Sequence, residues 1–241
     1  MDLVQGIFTV LFIAFSVLVG IRILLEYFKL KRKIFIWVGI TWIGICSPWY
    51  PNAINFVMIV FYNASLSDFW FFILNVSAFP PIVSTAWIIA LPGLINIKKR
   101  TRNLFLIINF AIHVVFDIFF YYYLFTDISM IGKKISPFYV EWTLFVIVYF
   151  FYLIFLVLSG GFTFVWKSVK SGKPEIVLRG KLLFVAFTLF IVGASIDAAI
   201  NMSDFPSMVV ITRLILISSS FFFYMGFLFP IWVKKRLLKE V

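Results

Sequence analysis

Residues 3–33 read LVQGIFTVLFIAFSVLVGIRILLEYFKLKRK, and this stretch decides the class of fold. Between Leu3 and Leu25 the only charged residue is Arg22, and basic residues gather only after the apolar run. An apolar helix of about 20 residues crosses a hydrocarbon core roughly 30 Å thick. Because no basic segment precedes the run and no small-x-small cleavage site follows it, it predicts a membrane-spanning helix and not a signal peptide.

The composition of the whole chain extends this prediction. Hydrophobic residues make up 63% of the 241 residues, charged residues make up 13%, and the mean hydropathy is +1.09. A soluble domain carries about 25% charged residues, so this chain lacks the polar surface that coats a globule in water. Seven stretches are long and apolar enough to span a bilayer, at residues 3–28, 34–62, 69–97, 104–125, 139–166, 182–202 and 207–233. We therefore predict an all-α integral membrane protein, with one seven-helix transmembrane bundle formed by residues 1–241.

Basic residues cluster on alternate connections between the seven stretches. Of the 21 Lys and Arg residues, 17 follow the first, third, fifth or seventh stretch. Such an excess marks the cytoplasmic side, so we predict an N-terminus outside, a cytoplasmic C-terminus and a multi-pass location in the cell membrane. The net charge of +11 then forms a collar that faces the anionic headgroups of the lipid bilayer. Nucleic-acid binding is not needed to explain it.

Proline residues interrupt two of the predicted helices. Pro48 and Pro51 fall in the second stretch, and Pro80 and Pro81 fall in the third. Proline removes a backbone donor and clashes with the preceding helical turn. Within a membrane the freed backbone groups must be satisfied by neighbouring helices or by water. We expect the second helix to be kinked or to unwind near its outer end, and the third helix to be bent.

Two acidic residues, Asp117 in the fourth stretch and Asp197 in the sixth, are the leading candidates for a functional site. Ionisable residues inside a bilayer are costly and mark a function or a partner by default. With a rise of about 1.5 Å per residue, both lie at a similar depth in the predicted outer half of the bilayer. Other polar residues share their helix faces or their level. The predicted ligand-binding set is Asp197, Asp117, His113, Asn201, Arg213 and Glu141, with Asp204 beside it.

These residues are predicted to line one outward-facing polar pocket, in which Arg213 pairs with Asp197 or with Glu141. A structural role is the alternative, because polar side chains also hold membrane helices together, at about 0.6 kcal/mol each on average. The aromatic run at residues 119–123 is interpreted as an interfacial belt. Trp49 and Tyr50 are interpreted in the same way, although either could line a pocket.

Several functions require residues that this sequence lacks. His113 is the only histidine and Cys46 the only cysteine, which excludes a cysteine-based metal site and any site that needs two imidazoles. The seventh stretch has no lysine before Lys234, so a retinal Schiff base of the usual kind is excluded. No phosphate-binding loop, HExxH or CxxC motif occurs. We predict no enzymatic activity, no cofactor and no metal.

Short segments spread along the chain carry a family resemblance. They are AFPP at 78–81 followed by IKKR at 97–100, PFY at 137–139, SGKP at 171–174 leading to RGK at 179–181, and GFLFP at 226–230. In these segments the chain resembles the seven-helix N-terminal sensor region of bacterial and archaeal histidine kinases and related signalling proteins. The resemblance implies sensing of an extracellular small molecule. Because the chain stops at Val241 without a kinase or cyclase domain, it also implies signalling through a separate cytoplasmic protein.

Three classes of function follow from these observations. The first is a receptor-like sensor that binds a small ligand in the outward-facing pocket and signals through its basic cytoplasmic loops. The second is a small proton-coupled transporter that uses Asp117 and Asp197 as protonatable sites and the proline breaks as gates. The third is a non-catalytic membrane subunit of a larger complex. Substrate flux separates the first two classes, and stoichiometric co-purification indicates the third.

Overall fold

The computed structural model of the chain describes residues 2–199 and 206–238. Seven helical segments in this part are long and apolar enough to cross a membrane, which confirms the predicted class of a helical, multi-pass membrane protein. We number them as the first to the seventh span. In chain order the elements are α1 (Asp2–Leu30), α2 (Ile34–Ile45), α3 (Tyr50–Tyr62), α4 (Asp68–Phe72), α5 (Pro80–Ile95), α6 (Lys99–Thr126), β1 (Gly132–Ser136), β2 (Tyr139–Trp142), α7 (Leu144–Val169), α8 (Pro174–Ala199), α9 (Pro206–Leu228) and α10 (Ile231–Leu237).

The second and third spans are both interrupted, as the prolines predict. A 3₁₀ turn at Ser47–Trp49 separates α2 from α3 in the second span, and a π-helical turn at Ile73–Ser77 separates α4 from α5 in the third. The two interruptions lie against each other, and Asn75 Nδ2 donates to the Pro48 carbonyl oxygen at 2.9 Å. This bond satisfies a backbone group that the break leaves without a helical partner.

The connection between the fourth and fifth spans contains a β-hairpin that the sequence analysis did not predict. Strands β1 and β2 pair antiparallel across the turn at Pro137 and Phe138. The predicted start of the fifth helix at residue 139 is therefore wrong, because α7 begins at Leu144. The strands hold their position through tertiary contacts, since Asn55 Nδ2 donates to the Pro137 carbonyl oxygen at 2.7 Å. Val140 of β2 and Ile131, just before β1, are buried against residues of the third, fourth and fifth spans.

Other helix limits also differ from the predicted ones. The fourth span begins at Lys99 and not at 104, and the sixth begins at Pro174 and not at 182. Lys and Arg are good helix formers, so these helices continue beyond their apolar part. The seventh span ends at Leu228 and not at 233, because Phe229 adopts a left-handed backbone conformation (φ 50°) and Pro230 follows it. The predicted residues 200–202 lie outside the described part.

Packing divides the bundle into a dense part and a peripheral helix. The first, second, third, fifth, sixth and seventh spans contribute buried residues to a core in which Trp42 stacks on Phe223 with a centroid distance of 3.6 Å. The first and second spans approach so closely at Gly20 and Gly39 that a Cβ atom on Gly39 would lie 2.8 Å from the Gly20 carbonyl oxygen. The fourth span, α6, is the most peripheral: only 22% of the residues in its most apolar 18-residue stretch are buried.

The two ends of the bundle differ in chemistry. The connections after α1, α5 and α7, together with α10, carry basic residues and meet at one end, which we call the basic end. Lys167 Nζ donates to the Ile95 carbonyl oxygen there, and Lys234 Nζ lies 3.3 Å from a Glu175 carboxylate oxygen. The opposite end carries the β-hairpin, and we call it the hairpin end.

Candidate functional site

A buried ion pair joins the sixth and seventh spans. Arg213 Nη1 donates to Asp197 Oδ1 at 2.7 Å, and the indole Nε1 of Trp49 donates to Asp197 Oδ2 at 2.6 Å. The Nε of Arg213 donates to the hydroxyl of Thr9 at 3.1 Å. We call Thr9, Trp49, Asp197 and Arg213 the ion-pair cluster. It connects the first, second, sixth and seventh spans through side chains as far as 204 positions apart in the sequence.

The local structure of the second span positions Trp49 in this cluster. Trp49 is the last residue of the 3₁₀ turn, so it lies where the helix is interrupted. Its ring packs edge-on against Phe12 and Phe190, with centroid distances of 5.2 and 6.2 Å. The guanidinium carbon of Arg213 lies 5.9 Å from the centroid of the Trp49 ring, within the range of a cation–π contact.

Burial differs sharply between the two charged partners. The side chain of Arg213 is 1% exposed and that of Asp197 is 15% exposed. A guanidinium in apolar surroundings is costly unless it is paired, so Asp197 is the counter-charge that permits Arg213 to stay buried. The carboxylate is the more accessible of the two charged groups. Any group that competes for this carboxylate therefore acts on a charge that four spans share.

A second set of polar residues lies along α6, at every fourth position: Asn109, His113, Asp117 and Tyr121. We call it the polar ladder. His113 is buried, and its ring nitrogens Nε2 and Nδ1 each lie 2.7 Å from a hydroxyl oxygen, of Ser84 in the third span and Tyr149 in the fifth. Because neutral imidazole has one donor and one acceptor, one hydroxyl accepts from the ring and the other donates to it.

The other members of the polar ladder make similar bonds. Asn109 donates to Thr85 at 3.2 Å and accepts from the Tyr152 hydroxyl at 2.7 Å. The hydroxyl of Ser77 donates to Asp117 Oδ1 at 3.0 Å and lies 3.2 Å from the hydroxyl oxygen of Tyr121. All four members thus bond to the third or the fifth span, which gives the peripheral helix α6 a polar attachment to the bundle.

The structure assigns the predicted site residues to separate places. Asp197 and Arg213 are paired, whereas His113 and Asp117 belong to the polar ladder on other spans. Among the described residues, no hydrogen bond or ion pair links the ion-pair cluster to the polar ladder. Glu141 lies exposed in β2 opposite Lys133, so it is not the partner of Arg213. Asn201 and Asp204 lie outside the described residues.

Sequence reasoning missed several partners in both groups. Thr9 and Ser84 are hydroxyl residues in apolar helices, a pattern too common to distinguish them. Tyr149 lies in a run of aromatic residues within an apolar span, where aromatic side chains are expected simply to pack. Trp49 is the one partner that the sequence could indicate, because it follows Pro48 at the expected break in the second helix.

Two further observations bound the chemistry of the site. The described residues contain no group of three or more His, Cys, Asp or Glu side chains that could hold a metal ion. A groove of about 460 Å³ runs between α6 and α7, and its lining is almost entirely apolar, including Val115, Phe119 and Val148. This groove does not involve the ion-pair cluster.

Comparisons with protein-family models, curated proteins and solved structures gave no match to this chain. The fold and the site therefore define the class by themselves. The chain is a multi-pass helical membrane protein with a buried ion pair shared by four of its seven spans.

Proposed function

We propose that this protein is a receptor-like seven-helix membrane sensor whose small ligand acts on the ion-pair cluster. By the positive-inside rule, the basic end faces the cytoplasm and the hairpin end faces outward on this proposal. The ligand then arrives from outside the cell membrane. The basic connections present the resulting change to a separate signalling protein in the cytoplasm, as the resemblance to kinase sensor regions implies.

The observation that carries the proposal is the ion pair of Asp197 and Arg213 with its contacts to Trp49 and Thr9. Through these contacts the carboxylate and the guanidinium connect the first, second, sixth and seventh spans. In that position, a change at one carboxylate alters the contacts of four spans at once. The polar ladder has no charge pair and attaches only the peripheral helix.

A ligand with hydrogen-bond donors would compete with Arg213 and Trp49 for the Asp197 carboxylate. Release of Trp49 acts directly on the 3₁₀ turn, where the second span already lacks regular helical bonds. A ligand shifts such an equilibrium only by its difference in affinity for the two arrangements. On this proposal the interrupted second span is the element that changes its arrangement, and the ion-pair cluster biases that change.

The first test is thermal unfolding of the detergent-solubilised protein against a panel of amino acids, sugars, nucleosides and short carboxylic acids. A ligand that binds only the folded state stabilises it by about 2.7 kcal/mol at 100 times its Kd. We expect at least one compound to raise the unfolding temperature of the wild type. The response should be lost in Asp197→Asn and reduced in Trp49→Phe, which removes the indole donor and keeps an aromatic ring against Phe12.

The matched control is Asp117→Asn, which makes the same chemical change in the polar ladder. This variant should keep the full ligand response. A panel without any stabilising compound, or an equal loss of response in Asp117→Asn and Asp197→Asn, would contradict the proposal.

A small proton-coupled transporter is the second candidate, and the contact between the two helix interruptions favours it. Asn75 in the π-helical turn bonds to Pro48 in the 3₁₀ turn, which places two irregular segments side by side. Transporters often bind substrate at such discontinuous helices. Uptake of the stabilising compound into proteoliposomes under a pH gradient is the separating test, because a carrier accumulates the compound and a sensor does not.

A further inference from the structure

The short helix α10 does not continue the seventh span. Phe229 takes a left-handed conformation with φ 50°, and Pro230 follows it, so the chain turns at this point. The Trp232 ring then stacks on Phe221, with centroids 6.2 Å apart, although Phe221 lies about 10 Å before the end of α9. The side chain of Val233 is fully buried. Helix α10 therefore lies across the basic end of the bundle.

Helix α10 carries an apolar and a basic part. Ile231 and Trp232 are 74% and 44% exposed, and Trp232 meets a Phe221 that is itself 40% exposed. Tryptophan beside exposed apolar side chains is typical of the boundary between hydrocarbon and headgroups. Lys235 and Arg236 follow directly and are exposed. Lys235 and Arg236 come four positions after Ile231 and Trp232, so apolar and basic side chains lie on the same exposed face of α10.

Among the residues that the structure describes, no carboxylate pairs with two of the cations of α10. Lys234 lies 3.3 Å from Glu175, which also accepts from Arg179 at 2.8 Å. Within the described part of the chain, no carboxylate forms an ion pair with Lys235 or Arg236. The Glu175 contact fixes α10 against the start of the sixth span and leaves these two charges for another anion.

A second basic segment lies at the same end of the bundle. Residues 31–33 are Lys, Arg and Lys, all exposed, and none forms an ion pair with a described carboxylate. Phe35, just after this segment, packs edge-on against Phe227 near the end of the seventh span, with a centroid distance of 5.8 Å. The fold thus places basic residues from opposite ends of the sequence at the basic end.

We propose that α10, with its exposed apolar and basic side chains, is a docking surface for anionic phospholipid. Its unpaired cations suit a negatively charged headgroup, and the exposed Ile231 and Trp232 lie where acyl chains begin. Each Lys or Arg near an anionic membrane surface contributes about 1 kcal/mol of attraction, equivalent to a roughly fivefold gain in affinity. The proposal is independent of the sensor function.

The test is native mass spectrometry of the detergent-solubilised full chain titrated with dioctanoyl phosphatidylglycerol. Dioctanoyl phosphatidylcholine serves as the neutral lipid, and glycerol 3-phosphate serves as the phosphate without acyl chains. We expect phosphatidylglycerol to bind in preference to both. In the Lys235→Gln/Arg236→Gln variant its binding should weaken about 10- to 30-fold.

The matched control is Lys99→Gln/Arg100→Gln, which removes two exposed charges from another helix at the basic end. It should bind phosphatidylglycerol nearly as well as the wild type does. Equal weakening in both double variants would show a general charge effect and overturn the proposal. Equal binding of the neutral lipid, or full competition by glycerol 3-phosphate, would overturn it as well. Unchanged unfolding temperatures without lipid verify that both variants fold.

Discussion

The ion-pair cluster and the polar ladder both lie between helices of the same apolar bundle, but their chemistry and their connectivity differ. The ion-pair cluster has opposite charges at 2.7 Å and joins spans from both ends of the chain. The polar ladder consists mainly of neutral hydrogen bonds between the third, fourth and fifth spans, which are consecutive in sequence. Loss of either partner of a charge pair leaves the other charge buried and uncompensated. Loss of one residue from a row of neutral hydrogen bonds removes only that residue's bonds.

The difference separates two reasons for polar groups in membrane helices. The polar ladder attaches α6, whose remaining surface is largely exposed, and any lost bond leaves the others in place. The ion-pair cluster buries an arginine that an apolar residue could replace, and it lies against a break in the second span. The first arrangement is what interhelical adhesion requires, and the second is suited to a switch.

The largest expected effect is the loss of one partner of the ion pair. Asp197→Ala leaves the guanidinium of Arg213 buried without its counter-charge, so the free energy of unfolding should fall by about 3–5 kcal/mol. The double variant Asp197→Ala/Arg213→Met removes the stranded charge and should recover most of this loss. Unfolding in detergent, followed by circular dichroism, measures both variants. If the single and double variants lose the same stability, the pair is not coupled.

A smaller effect is expected in the polar ladder when Tyr149 becomes Phe. The ring keeps its stacking on Phe116, with centroids 3.6 Å apart, and only the hydroxyl bond to His113 is removed. The free energy of unfolding should fall by about 1 kcal/mol, the usual value for one neutral hydrogen bond. The control is Tyr122→Phe on the exposed face of α6, which should have no measurable effect. If Tyr149→Phe lowered the free energy of unfolding as much as Asp197→Ala does, the polar ladder would be as important for stability as the ion pair.

The smallest effect is expected for Asp117→Asn. An asparagine oxygen can still accept from Ser77, so the free energy of unfolding should change by no more than about 0.6 kcal/mol. The same substitution at position 197 should cost clearly more, because it removes the negative charge opposite Arg213. Parallel unfolding curves for the two Asn variants make the comparison. Equal losses would mean that the charge of Asp197 does not matter for stability.

Much of the fold could be predicted because a bilayer constrains the sequence strongly. Apolar length identifies the seven spans, and proline chemistry predicts the interruptions at Pro48 and near Pro80. The hairpin could not be predicted in this way. Residues such as Tyr139, Val140 and Trp142 are apolar enough to continue a membrane helix, and distant groups such as Asn55 hold them as strands.

The candidate site was predictable only in part. The spacing of Asn109, His113, Asp117 and Tyr121 places them on one face of α6, and the structure confirms that they all bond on one side. The cost of a buried charge singles out Asp197 and Arg213. The spacing could not show that these two groups of residues face different partners, because it gives no information on which spans are neighbours.

The sequence by itself determined that this protein is a helical membrane protein, where its spans lie, and which of its residues are costly to bury. These properties depend on local composition, because each span needs apolar side chains to face lipid and helical hydrogen bonds to pair its backbone groups. Only the tertiary structure decided that Trp49 and Thr9 complete the Asp197–Arg213 pair, that His113 and Asp117 belong to a separate ladder, and that α10 folds back. Those outcomes depend on contacts between residues far apart in the chain, which packing selects and local sequence does not encode.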